Sequence, residues 1–195
     1  MAPPYVFGSR AFNGLNVATL TIYAGLSLMF FLLPFDLDAR GLTATQAGLV
    51  FLPFTLGVGL LSRVFGGLAD RFGPKPMLIA GALTAASGFA FMALLEGGPL
   101  WTSVIAPVGL AGLGFALLVA PLTAAVMMSV EDADEGLASG VNNTASRVAQ
   151  MVGVALAGAF VAGGVADGLW LASGLTVAGA ATVAFAVPRA EANAP

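Results

Sequence analysis

Six long apolar stretches run through this chain of 195 residues, and each is long enough to cross a lipid bilayer. A membrane-spanning helix needs about 20 predominantly apolar residues. The predicted spans cover residues 12–34, 47–68, 77–95, 103–127, 138–164 and 169–187. Short connections separate them, which makes consecutive helices antiparallel neighbours. The sequence therefore predicts an all-α membrane protein in which residues 1–195 form a single domain of six transmembrane helices.

Lipid is the predicted solvent for most of the chain. Hydrophobic residues make up 58% of it, charged residues only 9%, and the mean hydropathy is +0.96. A soluble domain usually carries about 25% charged residues. The seven basic residues are scattered, so the chain lacks the cluster of Lys and Arg that binding to nucleic acid requires. The expected partner is therefore the lipid bilayer and not nucleic acid.

Cysteine and histidine are both absent from the sequence. Their absence excludes disulfides, thiol nucleophiles, histidine general bases and metal sites built from these two residue types. We therefore expect no enzyme activity, no catalytic residue, and no bound metal or cofactor.

The basic residues predict the orientation of the chain. Six crossings place both termini on one side, where Arg10, Arg71, Lys75 and Arg189 also fall, whereas Arg40 alone falls in an opposite loop. Because cytoplasmic loops carry an excess of Lys and Arg, both termini are predicted to be cytoplasmic. The abundance of Ala and Gly, and of Arg over Lys, is typical of a GC-rich bacterial source. We therefore expect a multi-pass protein of a bacterial inner membrane.

A charged loop separates the second and third spans. Residues 66–78 read GGLADRFGPKPML, an ordered series of glycine, acid, base, glycine and base between two apolar runs. Charges at the centre of a bilayer cost roughly 2.5–3.5 kcal/mol each on insertion scales, so this loop must lie in water or among headgroups. The plainer alternative is a solvated hairpin loop without a further role.

The fifth span is the most polar of the six. Asn143, Arg147 and Gln150 follow helical spacing along one face, and an adjoining stripe is polar or small. That stripe consists of Asn142, Ser146, Ala149, Gly153 and Ala157. Polar residues inside a membrane mark substrate pathways, whereas small residues also permit close helix packing, and both alternatives stay open here. The Arg147 guanidinium could instead reach the interface or pair locally.

Glycine and proline are dense in the fourth span. They are Pro107, Gly109, Gly112, Gly114 and Pro121. Lipid tolerates such residues only where neighbouring helices cover the freed backbone groups. The fourth span is therefore predicted to be an interior helix that bends.

Two motifs resemble the major facilitator superfamily of transporters. The loop resembles that family's signature G-x-L-A-D-R-x-G-R-K-x-x-L through Gly66, Leu68, Ala69, Asp70, Arg71, Gly73, Lys75 and Leu78. Only Pro74 departs from it, where the family usually has a second base. The second motif is similar to the fifth helix in the second half of the fourteen-helix drug/proton antiporters. It consists of Gly136, Ala138, Ser139, Gly140, Asn142, Asn143, Thr144, Arg147 and Gly153.

The resemblance implies a larger transporter than six helices provide. Members have two six-helix halves that rock about a central site, and this chain resembles the C-terminal half because its fourth span lacks the intramembrane Arg of N-terminal halves. The implied function is efflux of a small lipophilic or cationic compound in exchange for protons. Implied partners are that substrate and either the missing N-terminal half or a second copy of the chain. The alternatives are a half-size transporter that acts as a homodimer, and a non-transporting truncated protein or assembly partner.

The resemblance also implies conformational roles for the loop. Asp70 would cap a helix or accept a salt bridge, while Arg71 and Lys75 would pair with helix-end carbonyls or acidic neighbours. Gly66 and Gly73 would permit close approach and a tight turn. The proton, and no bound cofactor, is the implied coupling partner. All ten acidic residues fall in predicted loops or at span ends, so the titrating acid is expected in the missing half.

Overall fold

Seven α-helices follow one another in the computed structural model, which describes residues 4–161 and 163–188. They are α1 (Arg10–Ala39), α2 (Ala44–Val50), α3 (Leu52–Phe72), α4 (Pro74–Leu94), α5 (Ala106–Met127), α6 (Glu135–Ala157) and α7 (Val165–Ala186). Short 3-10 turns cover Pro4–Gly8 and Asp132–Asp134, and a π-helical turn covers Trp101–Ile105. Within the described residues no β-strand occurs, so the all-α prediction is confirmed.

Five helical stretches of the described chain are long and apolar enough to span a membrane. They are Arg10–Ala39, Ala44–Ala69, Pro74–Leu94, Trp101–Met127 and Val165–Ala186. The second of these joins α2 and α3, which break at Phe51 beside Pro53, because proline cannot donate a backbone hydrogen bond. The remaining predicted span, 138–164, corresponds to α6, which has a comparable 23 residues but a more polar sequence.

Two predicted span boundaries near the C-terminus were wrong. Helix α6 already ends at Ala157, and α7 begins at Val165, within the connection predicted over residues 165–168. The apolar run after Ala157 resembles a membrane span in the sequence, yet residues 158–161 and Gly163 form turns before Gly164, whose φ is 134°. Glycine tolerates that backbone conformation, whereas residues with a side chain rarely adopt it.

Helix packing divides the bundle into interior and peripheral members. Helix α1 packs against α6 and α7, α4 packs against α5 and α7, and α3 packs against α5. The core includes Phe12 and Leu28 of α1, Phe89 of α4 and Phe115 of α5. Only 11% of the apolar window in Ala44–Ala69 is buried, against 56% in Trp101–Met127. Helix α3 is therefore peripheral, whereas α5 is interior.

Glycines allow α4 and α5 to approach closely. A Cβ added at Gly88 would lie 2.7 Å from both the Ala111 nitrogen and the Pro107 oxygen. Gly81 and Gly114 make similarly close contacts across the same interface. Gly81, Gly88 and Gly114 therefore permit tight packing of α4 on α5. Two other α5 glycines, Gly109 and Gly112, lie against the start of α3.

Candidate functional site

The charged loop is shorter than the sequence predicted. Helix α3 extends to Phe72 and α4 begins at Pro74, so Gly73 is the single residue between them. Its φ of 82° and ψ of 155° make the sharp reversal, which favours glycine at this position. Pro74 occupies the first turn of α4, where a missing N–H breaks no helical hydrogen bond. The departure of Pro74 from the family pattern thus fits the local geometry.

Lys75 connects this loop to the end of α7. Its Nζ donates hydrogen bonds to the backbone oxygens of Ala184 at 2.7 Å and Val187 at 2.6 Å. Carbonyls in the last turn of a helix have no partner within the helix and carry the negative end of its dipole. The Lys75 ammonium therefore satisfies two such carbonyls and holds the start of α4 against α7.

The other loop residues lie apart from this contact. The Arg71 guanidinium is exposed and lies 5.5 Å from the centroid of the Phe72 ring. Gly66 faces α5, where an added Cβ would lie 3.6 Å from the Ala120 Cβ, an ordinary contact distance. The side chain of Asp70 and all of Arg189 lie outside the described part of the structure. Among the loop residues whose side chains the structure describes, only Lys75 caps the end of another helix.

A cavity of about 820 Å³ opens beside the loop. Its wall includes Phe72 and Lys75 from the loop, Leu15 of α1, Met128 after α5 and Val187 after α7. The lining is mostly apolar, with the Lys75 ammonium as its charged group. The loop, α1, α5 and α7 therefore do not close completely at this end of the bundle.

The structure separates the two polar stripes of α6. The Asn142 side-chain amide donates to Thr19 Oγ1 of α1 at 2.7 Å and lies 3.4 Å from the Asn16 Oδ1. One turn beyond the middle of α6, Ser27 of α1 donates to the Gln150 backbone oxygen at 2.9 Å. Ala149, Gly153 and Ala157 of the same stripe are buried. This stripe is therefore a helix contact with α1.

The neighbouring stripe faces outward. Asn143, Arg147 and Gln150 are exposed, and within the described residues their side chains form no hydrogen bond or salt bridge with the rest of the chain. Ser146 lies between the stripes, half-buried, and donates to the Asn143 backbone oxygen at 2.8 Å. The structure thus leaves an exposed polar surface along α6, which we call the α6 polar face: Asn143, Ser146, Arg147 and Gln150.

A second charged network lies at the opposite end of the bundle. Arg40 donates from Nε to Asp36 Oδ2 at 2.7 Å, and from Nη1 to the Gly98 oxygen at 2.8 Å and Ser103 Oγ at 3.2 Å. From the sequence alone, Arg40 contributed only to the predicted orientation of the chain. Its spacing of four residues from Asp36 was a signal for a helical ion pair, but the contacts to Gly98 and Ser103 depend on the tertiary fold.

Comparison with known proteins places this arrangement in a family. The family described as the Major Facilitator Superfamily matches residues 15–195. The lincomycin resistance protein of Streptomyces lincolnensis is 32% identical over 157 residues, which is 80% of this chain and 33% of that protein. The multidrug resistance protein Stp of Mycobacterium tuberculosis is 28% identical over 150 residues, 76% of this chain and 28% of that protein.

A third relative agrees with these two. The methylenomycin A resistance protein of Streptomyces coelicolor is 29% identical over 158 residues, 80% of this chain and 33% of that protein. The chain spans about a third of the length of the curated relatives that it matches. Because the family match covers almost the whole sequence and agrees with the all-helical membrane fold, the chain belongs to the major facilitator superfamily, a family of membrane transporters and not of enzymes.

Proposed function

We propose that residues 1–195 form the C-terminal six-helix domain of a drug exporter. In this proposal the exporter belongs to the fourteen-helix drug/proton antiporter branch, both termini of the chain are cytoplasmic, and the membrane is a bacterial inner membrane. It moves a small lipophilic or cationic compound outward in exchange for protons by alternating access. Bacterial relatives named for lincomycin, methylenomycin A and multidrug resistance support the substrate class.

The position of Arg147 is the observation that carries the proposal. Arg147 is exposed on α6, twelve residues after Glu135 and ten before Ala157, so it lies near the middle of the helix. A charged side chain at the centre of a lipid-facing helix costs roughly 2.5–3.5 kcal/mol on insertion scales. The α6 polar face therefore fits a surface that meets water, a substrate or another polypeptide, and it does not fit contact with hydrocarbon.

A second six-helix unit supplies the opposite wall in this proposal. Transporters of this family pair two six-helix halves related by an axis along the membrane normal, with the substrate site between them. Peripheral α3 and the α6 polar face are the surfaces of this chain left open to such a unit. The missing N-terminal half is the proposed partner, and a second copy of the chain is the competing arrangement.

Proton coupling is assigned to that second unit. The acidic side chains that the structure describes lie in connections or within the terminal turns of helices, as Asp36, Asp38, Glu96, Glu135 and Asp167 do. A proton-carrying acid is expected inside the membrane and facing the pathway. The chain therefore contributes the pathway wall and the loop contacts, and the titrating acid comes from its partner.

Proton-driven dye transport tests the proposal, with Arg147→Gln as the key variant. The protein is produced from its complete natural reading frame, and ethidium uptake is followed in everted vesicles energised by respiration. We expect uptake that an uncoupler abolishes. Because neutral glutamine removes the charge from the pathway wall, Arg147→Gln should lower the uptake rate about tenfold, an effect of about 1.4 kcal/mol. Arg147→Lys should retain most of the rate.

The control variant is Val148→Ala, which changes an exposed neighbour on α6 without changing charge. Its uptake rate should equal that of the unmutated protein. An ethidium uptake rate that the uncoupler leaves unchanged would contradict proton exchange. Absence of ethidium uptake would contradict drug export. An unchanged rate in Arg147→Gln would remove Arg147 from the pathway.

A further inference from the structure

Five aromatic rings form a continuous chain across the bundle. The Tyr23 ring lies edge-on to Phe115 with centroids 6.2 Å apart, and Phe115 lies 5.6 Å from Phe54. Phe54 lies edge-on to Phe30 at 5.1 Å, and Phe30 stacks on Phe51 at 5.1 Å with an interplanar angle of 13°. Tyr23 and Phe30 belong to α1, and Phe115 belongs to α5. Phe54 belongs to α3, and Phe51 directly precedes that helix. The chain of rings thus joins three helices whose residues are distant in sequence.

The rings differ in accessibility. Phe54 and Phe115 are buried, with 8% and 1% of their surface exposed, whereas Phe30 is 39% exposed and Tyr23 is half-buried. Tyr23 and Phe30 are seven residues apart on α1, which is two helical turns or about 10 Å along one face. Tyr23 and Phe30 therefore form a partly exposed aromatic surface on α1. The buried rings of Phe115 and Phe54 pack against it.

Tyr23 lies where three helices meet, near the middle of α1. It is the fourteenth of the thirty residues of α1. Thr19 and Ser27, one turn to either side, both form hydrogen bonds with α6, while the Tyr23 ring contacts α5 through Phe115. Tyr23 is therefore at the junction of α1, α5 and α6, next to the helix that carries the α6 polar face.

Within the described part of the chain, the Tyr23 hydroxyl has no hydrogen-bond partner. Among residues 4–161 and 163–188 it forms no hydrogen bond, and because no fully buried side-chain oxygen there lacks a partner, the Tyr23 hydroxyl is not completely enclosed by the protein. Leaving a hydroxyl without a hydrogen bond in an apolar environment carries a cost in free energy. A tyrosine facing lipid at this depth would bear that cost. A hydroxyl that is not completely enclosed and has no partner in the described chain fits a surface that meets a molecule able to form hydrogen bonds.

We propose that Tyr23 and Phe30 bind the transported compound, and that this compound is a planar aromatic molecule with a hydrogen-bonding substituent. This inference rests on the proposed function and identifies the substrate class of the same pathway. Offset or edge-on ring contacts stabilise a complex beyond the contribution from buried area. The described carboxylates lie towards the helix ends or in connections, so recognition depends on ring faces and the hydroxyl. A delocalised positive charge is compatible with it through cation–π attraction.

Ethidium binding to the purified protein in lipid nanodiscs tests this site. The protein again comes from its complete natural reading frame, and the fluorescence of ethidium, a planar aromatic cation with amino groups, reports the Kd. Tyr23→Ala and Phe30→Leu should each raise the Kd about tenfold because each removes a ring contact. Tyr23→Phe keeps the ring and loses only the hydroxyl, so it should raise the Kd about threefold to tenfold.

Phe185→Ala is the matched control. Phe185 lies on α7, is 79% exposed, and belongs to none of the ring pairs found among the described residues. Its Kd should equal that of the unmutated protein. Phe30→Leu keeps an apolar side chain of similar size, so a raised Kd in this variant reflects loss of the ring and not loss of folding. Size-exclusion profiles of Phe30→Leu and Phe185→Ala check that both variants fold.

The outcomes separate this site from the proposed function. If the unmutated protein transports ethidium in vesicles and the three α1 variants keep its Kd, the aromatic site is wrong while drug export stands. If the unmutated protein neither binds nor transports ethidium, both the site and the export of this class fail. A raised Kd that Phe185→Ala shares to the same extent would also overturn the site.

Discussion

The substitution Gly88→Val is expected to destabilise the folded bundle by about 3 kcal/mol or more, because it forces α4 and α5 apart. A Cβ at this position would lie 2.7 Å from two backbone atoms of α5 and 3.0 Å from the Ala111 Cβ. Backbone atoms in a packed helix cannot rotate away as a flexible side chain can. Thermal unfolding in detergent, followed by the fluorescence of Trp101 and Trp170, measures the loss.

Gly174→Val is the control for this prediction. Gly174 lies on α7, and no heavy atom outside its own helix backbone lies within 4 Å of an added Cβ. Both variants place a β-branched side chain in an apolar helix, so the difference between them isolates the close packing of α4 on α5. We expect Gly174→Val to unfold at nearly the temperature of the unmutated protein. Equal losses in the two variants would show that helix propensity, and not packing, determines the effect.

The substitution Lys75→Met should release the end of α7 from the loop. Methionine keeps much of the apolar stem but donates neither of the hydrogen bonds to Ala184 and Val187. Hydrogen bonds to charged groups contribute roughly 1.5–3 kcal/mol each. Amide hydrogen exchange at Val187, whose N–H donates to the Val183 oxygen, should become at least tenfold faster. Vesicle transport should fall as well, because the loop no longer holds α4 against α7.

Arg71→Met is the matched control, since it removes a neighbouring charge of the same sign. Arg71 is exposed and contacts the Phe72 ring, so its loss should leave exchange at Val187 unchanged. Unchanged exchange in Lys75→Met would mean that the two hydrogen bonds do not restrain α7. Faster exchange in both variants would indicate a general effect of net charge.

Local sequence patterns were sufficient to predict the all-α membrane fold and the position of the charged loop. Runs of apolar residues require a helical backbone in lipid, and charges cannot remain in hydrocarbon. The same patterns failed after Ala157, because the Ala, Val and Gly residues there are apolar enough to resemble a span, although the backbone turns near Gly164. Hydropathy records the preference for lipid but not the backbone conformation that glycine permits.

The contacts between helices could not be predicted from one sequence. Helical spacing predicted two stripes on α6, but the packing of α1 decides that Asn142 is covered while Arg147 stays exposed. The chain of aromatic rings could not be predicted for the same reason. Tyr23 and Phe30 belong to one apolar run and Phe115 to another, so their proximity exists only after the helices pack.

The cysteine-free sequence allows one direct test of whether the α6 polar face lines a water-containing pathway. Ser146→Cys places a thiol at the centre of α6, and Val177→Cys places one near the middle of α7 on an exposed apolar surface. The thiolate is the reactive form and requires water, so a membrane-impermeant cationic maleimide should label Ser146→Cys in intact membranes, and ethidium should slow the labelling. Val177→Cys should stay unlabelled. If Ser146→Cys is as unreactive as Val177→Cys, α6 faces lipid or dry protein, and the proposed pathway is wrong.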